Sequence, residues 1–233
     1  TGVCLPSASY MKYTFNVEGG KTYFFFGWMT KVGIRGFGFE PDKTQPTEEL
    51  TIKASKTETQ TFEKGKKYAT AKLERTFKAN QWTTLVLPFS VSASEVTDVF
   101  GEGTQILHYR TIQGSTMYFF KHYHQMIVAG TPVLIRPTKD ITADNYATFK
   151  NVKIEAAEVK DTPCNDYGYD NNENTTYKMI GSYNPQTVRK GEYFISTKDG
   201  KVKYLTSETG TIAGTFAYMT NNATASQSLS MAK

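Results

Sequence analysis

Apolar and polar residues alternate with a period of two along most of this chain, and a helical period appears once. The clearest run is Trp82-Thr83-Thr84-Leu85-Val86-Leu87-Pro88-Phe89. It reads as an apolar strand opened by a tryptophan and stopped by a proline, which has no N–H to give to a ladder. Leu73-Glu74-Arg75-Thr76-Phe77-Lys78-Ala79-Asn80 before it reads as a partner strand and a turn. Residues 92–100 carry the helical pattern, with Ser92 or Ser94 as cap and Gly101 as stop. The remaining strands are predicted at 68–77, 104–110, 116–124, 132–137, 148–155, 176–182, 192–196, 201–206 and 211–218. Asp199-Gly200, between two apolar runs, is the strongest hairpin signal.

Upstream, residues 10–17 alternate, Glu18-Gly19-Gly20-Lys21 turns, and 22–29 run back through Tyr23, Phe24, Phe25 and Phe26. Ile34-Arg35-Gly36-Phe37-Gly38-Phe39 then places both phenylalanines on one face. Three strands this apolar leave one face uncovered, so they either close a second sandwich or dock on the downstream strands. Residues 42–66 shift to Lys, Thr, Glu and Gln and read as a linker, in which Leu50-Thr51-Ile52 can add a short strand. The expected order is strands of a first module over 1–41, a linker over 42–66, a main module over 67–220 and a small, polar tail over 221–233. The fold class is all-β: a β-sandwich-like main module with one short helix, preceded by antiparallel strands of a second sandwich.

A chain of 233 residues suits one large or two small β domains, and 15 Tyr with 15 Phe fit half-buried pleated surfaces. No apolar run approaches the roughly 18 residues that a spanning helix needs. The chain opens on Thr1 without a basic, signal-like apolar segment, so a mature or trimmed start is expected. A net charge of +5 raises the question of nucleic acid. The lysines, however, alternate with Thr, Glu and Tyr, and the basic stretch over 53–78 also carries Glu58, Glu63 and Glu74. No aromatic RNA-binding motif, recognition helix or zinc module accompanies them, so no nucleic-acid partner is expected. Solvated strand faces and edge protection account for the lysines. Cys4 and Cys164 belong to no CxxC pair, which argues against thioredoxin-like redox chemistry and structural zinc. Whether they pair with each other stays open.

Arg75-Thr76-Phe77, the Trp82 to Phe89 motif and Phe100-Gly101-Glu102-Gly103-Thr104 form a recognisable set. Ala129-Gly130-Thr131-Pro132-Val133-Leu134-Ile135-Arg136-Pro137, Gly191-Glu192-Tyr193-Phe194-Ile195-Ser196 and Phe216-Ala217-Tyr218 complete it. Together they resemble a β-rich domain of secreted and surface proteins of gut Bacteroidetes. Phe15-Asn16-Val17-Glu18-Gly19-Gly20-Lys21-Thr22-Tyr23 and the stretch from Lys31 to Phe39 are similar to the end of a jelly-roll carbohydrate-binding module. The resemblance implies an extracellular or cell-surface protein, outer-membrane-attached, non-catalytic, with a glycan or another surface protein as partner. Its alternatives are a structural spacer without ligand and an accessory domain of a glycan-degrading enzyme. It supplies no catalytic residue.

The residues themselves offer few constellations. His122 and His124 leave one face of a predicted strand, and His108 on the preceding strand can face them; three imidazoles make an open zinc site. The competing reading is a polar outer face shared with Tyr118 and Lys121. Glu95, Asp98, Glu102, Glu155 and Glu158 read as ordinary helix and strand-face charges rather than as a glycosidase pair. No GxSxG elbow or phosphate-cradling glycine loop occurs. Asn165-Asp166-Tyr167-Gly168-Tyr169-Asp170-Asn171-Asn172-Glu173-Asn174 is denser in chemistry. Asp166 and Asp170 can bond sugar hydroxyls while Tyr167 and Tyr169 stack on rings, and its oxygens suit calcium; no other cofactor is expected. Its spacing misses the EF-hand pattern, and an Asx-rich loop without ligand is the plain alternative. Trp28, beside a turn, is a candidate binding platform; Trp82 is read as structural.

Overall fold

A computed structural model describes residues 46–113, 116–121, 125–159, 178–220 and 230–232. The chain separates into two compact units, 1–43 and 44–233. The strands expected over 10–41 lie outside the described residues, and the described elements all belong to the second unit.

That unit is all-β with one short helix. Its strands are β1 (Glu49–Lys53), β2 (Lys67–Glu74), β3 (Thr83–Leu85), β4 (Gln105–Gln113), β5 (Thr116–Lys121), β6 (Val133–Arg136) and β7 (Ala147–Lys153). They continue with β8 (Met179–Gly181), β9 (Gln186–Arg189), β10 (Tyr193–Ile195), β11 (Val202–Tyr204), β12 (Thr209–Ile212), β13 (Ala217–Met219) and β14 (Ser230–Ala232). The helix α1 spans Ala93–Phe100 between β3 and β4. The sheets run β1-β2-β7, β14-β5-β4-β6-β3 and β11-β10-β13-β8, with β12 and β9 as a separate pair. Pairing is antiparallel except at two edges, where β1 lies parallel to β2 and β14 parallel to β5.

The architecture is sandwich-like with three sheets, because the five-stranded sheet is covered on both faces. Val133 and Ile135 of β6 join a core with Ile52, Leu73, Phe149 and the helix residues Val96 and Phe100. Leu134, between them, points into a second core with Trp82, Phe119, Tyr193 and Met219. A strand buried on both faces needs no polar alternation, which is why residues 132–137 read as one apolar run. The first core is rich in edge-to-face ring pairs, such as Phe77 on Phe100 at 5.3 Å and Phe89 on Phe149 at 5.2 Å between centroids.

Helix α1 starts where the sequence places it. Ser92 and Glu95 form a reciprocal capping box: Glu95 Oε2 accepts from Ser92 N at 3.0 Å, and Ser92 Oγ accepts from Glu95 N at 3.4 Å. Gly101 ends it at φ 100°, with Thr138 Oγ1 where a side chain would begin. Asp199-Gly200 closes the β10–β11 hairpin, with Ser196 N donating to Lys201 O at 2.9 Å and Gly200 N to Ser196 O at 2.8 Å.

Four boundaries differ from the periodicity. The run over 82–89 forms a ladder only at Thr83–Leu85; Val86 instead donates to Thr215 O in a loop, although 86–89 remain buried. The strand expected over 211–218 is two strands, split where Thr215 takes φ 68°. Strand β9 falls where no strand was read, and β14 falls in the stretch read as tail. The short strand that the sequence allows at Leu50-Thr51-Ile52 within the linker stretch is present as β1, and its Ile52 is fully buried.

Candidate functional site

Of the residues singled out for binding, Trp28, Asp166, Tyr167, Tyr169 and Asp170 lie outside the described residues, as do Cys4, Cys164, His122 and His124. His108 is described. It is 9% exposed on β4, and its ring lies 5.6 Å from that of its cross-strand neighbour Phe120, tilted by 30°. The polar outer face expected there is therefore corrected for His108 to a mostly buried aromatic contact, because both faces of the sheet that holds β4 are covered. Among the described residues no three His, Cys, Asp or Glu side chains gather at metal-binding distance.

Glu95, Glu155 and Asp199 have local partners. Glu95 completes the capping box. Glu155 clips Ser90, accepting from its N–H at 3.2 Å and from its hydroxyl at 3.0 Å. Asp199 pairs with Lys203 at 2.9 Å in the exposed hairpin, and that ammonium, with the Ser196 hydroxyl, holds its carboxyl down to about 2.

The most unusual group is Arg75, a cation only 4% exposed. Inward residues recur at Ala71, Leu73, Arg75 and Phe77, so the strand period carries the guanidinium into the core. One guanidinium nitrogen donates to Thr215 O at 2.9 Å; the other donates to Thr83 Oγ1 at 2.7 Å and Thr84 O at 2.6 Å. The plane lies 3.4 Å from the Phe216 ring centroid and 4.7 Å from that of Phe77. None of these partners is a carboxylate, and burial pushes the Arg75 pKa well below its usual value. The arrangement ties the end of β2, strand β3 and the β12–β13 connection together. Thr215 presents its carbonyl from a left-handed backbone that a β-branched residue seldom adopts, and its N–H donates to Ser182 O at 2.7 Å. Thr84 adds a second tie: its hydroxyl accepts from Ala217 N at 2.9 Å and donates to Ala217 O at 3.1 Å. Apart from Arg75 Nε, which has no hydrogen-bond partner among the described residues, these polar groups are satisfied inside the fold, and their chemistry is that of holding sheets together.

Between the middle sheet and the β11-β10-β13-β8 sheet is a cavity of about 10 Å³, lined by residues including Met117, Phe119, Met179, Tyr193 and Met219. That is room for one water at most, and the lining is mainly apolar. The outer surface is polar. Among the described residues Tyr204, at 41%, is the large hydrophobic side chain that stands exposed. The outward positions of β1, β2 and β7 carry Glu49, Thr51, Lys53, Lys67, Lys72, Thr148, Lys150, Asn151 and Lys153, all exposed. Sequence reasoning assigned these lysines to solvent and edges one by one. Their gathering on one sheet depends on the β2–β7 register.

Comparison with protein-family models, with curated proteins and with solved structures gives no match for this chain.

Proposed function

We propose that this protein is a non-catalytic module of an exported surface protein that binds glycan or mediates adhesion. The observation that carries this reading is the exposed face of β1, β2 and β7, where Thr, Lys and Asn side chains stand side by side on three adjacent strands. Such a face offers many donors and acceptors to a hydroxyl-rich polymer, backed by a core that Arg75 ties together. A glycan array probed with the full chain tests it; retention of at least one glycan class is expected, and silence from folded protein refutes it. The burial of aromatics favours a second reading, a spacer without ligand, since among the described residues the large aromatics other than Tyr204 are buried or half-buried.

A further inference from the structure

On that reading rests a sharper one about ligand class. We infer that the end of the β2–β7 ladder binds an anionic polysaccharide, one bearing carboxylate or sulfate groups, through Lys67, Lys150 and Lys153. Lys67 and Lys153 are direct cross-strand partners, and both are exposed. Like charges in that position oppose folding, since opposed side chains on one face stand only about 5 Å apart at Cβ. Neighbouring lysines are neutralised: Lys66 by Glu48 at 2.9 Å, Lys72 by Glu74 at 2.8 Å, and Lys53 by Glu58 at 2.6 Å. Lys67, Lys150 and Lys153 have no such carboxylate among the described residues.

The ladder concentrates these charges by an irregularity. Tyr68 and Val152 form one inward pair, and Ala71 with Phe149 the next, so two residues per strand lie between them instead of one. Asn151 absorbs the change at φ 52°, and both Lys150 and Asn151 are left exposed. The nearest unpaired acid on the sheet, Glu49, is separated from Lys150 by Thr70 on the intervening strand, roughly 10 Å across two strand spacings. A cationic cluster flanked by amide and hydroxyl groups matches a polymer that carries both anions and hydroxyls. Single-stranded nucleic acid fits less well, because the three lysines have no exposed aromatic among them for base stacking.

The test compares the full chain with K67Q/K150Q/K153Q and with a control of equal charge loss, K78Q/K198Q/K201Q. The probes are a polygalacturonate oligosaccharide, a neutral xylan oligosaccharide and single-stranded DNA. The expected result is salt-sensitive binding of polygalacturonate that the face variant weakens roughly tenfold or more and the control weakens little. The face variant should also melt no lower than wild type, because it relieves the Lys67–Lys153 opposition. Equal losses in both variants, or a lower melting temperature, overturn the inference. Xylan bound equally by all three proteins overturns it while leaving the glycan-binding module intact. No binding to either glycan removes both. Tighter binding of DNA, with the same lysine dependence, transfers the face to nucleic acid.

Discussion

Truncating Arg75 to alanine removes donors from Thr215 O, Thr83 Oγ1 and Thr84 O and empties the space between the Phe77 and Phe216 rings. Thr215 O keeps the Val86 N–H at 3.0 Å, so its loss is partial. Each buried acceptor left unpaired costs about 1–3 kcal/mol, and deletion of a large buried side chain adds a cavity penalty. Because these costs are not additive, we expect Arg75→Ala to lose about 3–5 kcal/mol, a large share of an ordinary domain's stability. Arg75→Met keeps the stem between the rings and should lose less, about 1–3 kcal/mol. Arg75→Lys should not restore wild-type stability, since one ammonium cannot fork towards separated acceptors. Urea unfolding of the full chain followed by circular dichroism measures all three. An Arg75→Ala midpoint and slope that place its stability within about 1 kcal/mol of wild type would refute the argument, for the acceptors would then be satisfied without the guanidinium.

Three further outcomes concern single sites. Gly200→Ala should destabilise by about 1–3 kcal/mol, because Gly200 has φ 66° and a Cβ there would stand 3.0 Å from Trp82 N; thermal melting checks it. The Asp199 carboxyl should titrate near 2 by carbon NMR, and Lys203→Gln should move the midpoint back towards 3.8. Its folded value is depressed, so the hairpin contribution is present above the ordinary carboxylate range and disappears as pH falls through about 2. Tyr183, whose hydroxyl lies 3.0 Å from Ala156 O, is held protonated beyond its usual 10.0 by burial. Below that pH both states are neutral; above it the unfolded state ionises first and stability falls. Tyr183→Phe should cost about 1 kcal/mol at neutral pH and flatten the alkaline loss, as unfolding at pH 8 and 11 would reveal.

Much of the fold was written locally. The Gly101 stop and the Asp199-Gly200 hairpin involve residues close in sequence and sit where their patterns placed them, and of the two serines read as cap it is Ser92 that caps α1, with Glu95 completing a box that the pattern had not shown. Residues 133–135 were legible as a strand but not as the centre of three layers, since an apolar run is the same whether one sheet covers it or two. The break at Thr215 was hidden because nothing local favours a left-handed threonine; distant partners, Arg75 and Ser182, hold it there. His108 was read from its neighbours in sequence, but its surroundings were set by Phe120 across the ladder.

What the sequence alone determined, then, is the element type: alternation, proline and glycine stops, and a cap are interactions among residues a few positions apart. What only the tertiary structure decided is which elements meet. Arg75 could be placed on an inward face by counting from Leu73, yet its acceptors at Thr83, Thr84 and Thr215 come from positions up to 140 residues away. The lysine face obeys the same rule, because Lys67 and Lys153 oppose each other only through the register of β2 on β7. Register is fixed by the burial of Tyr68, Ala71, Val152 and Phe149 against a common core, and that is a property of the packed sheet rather than of either strand.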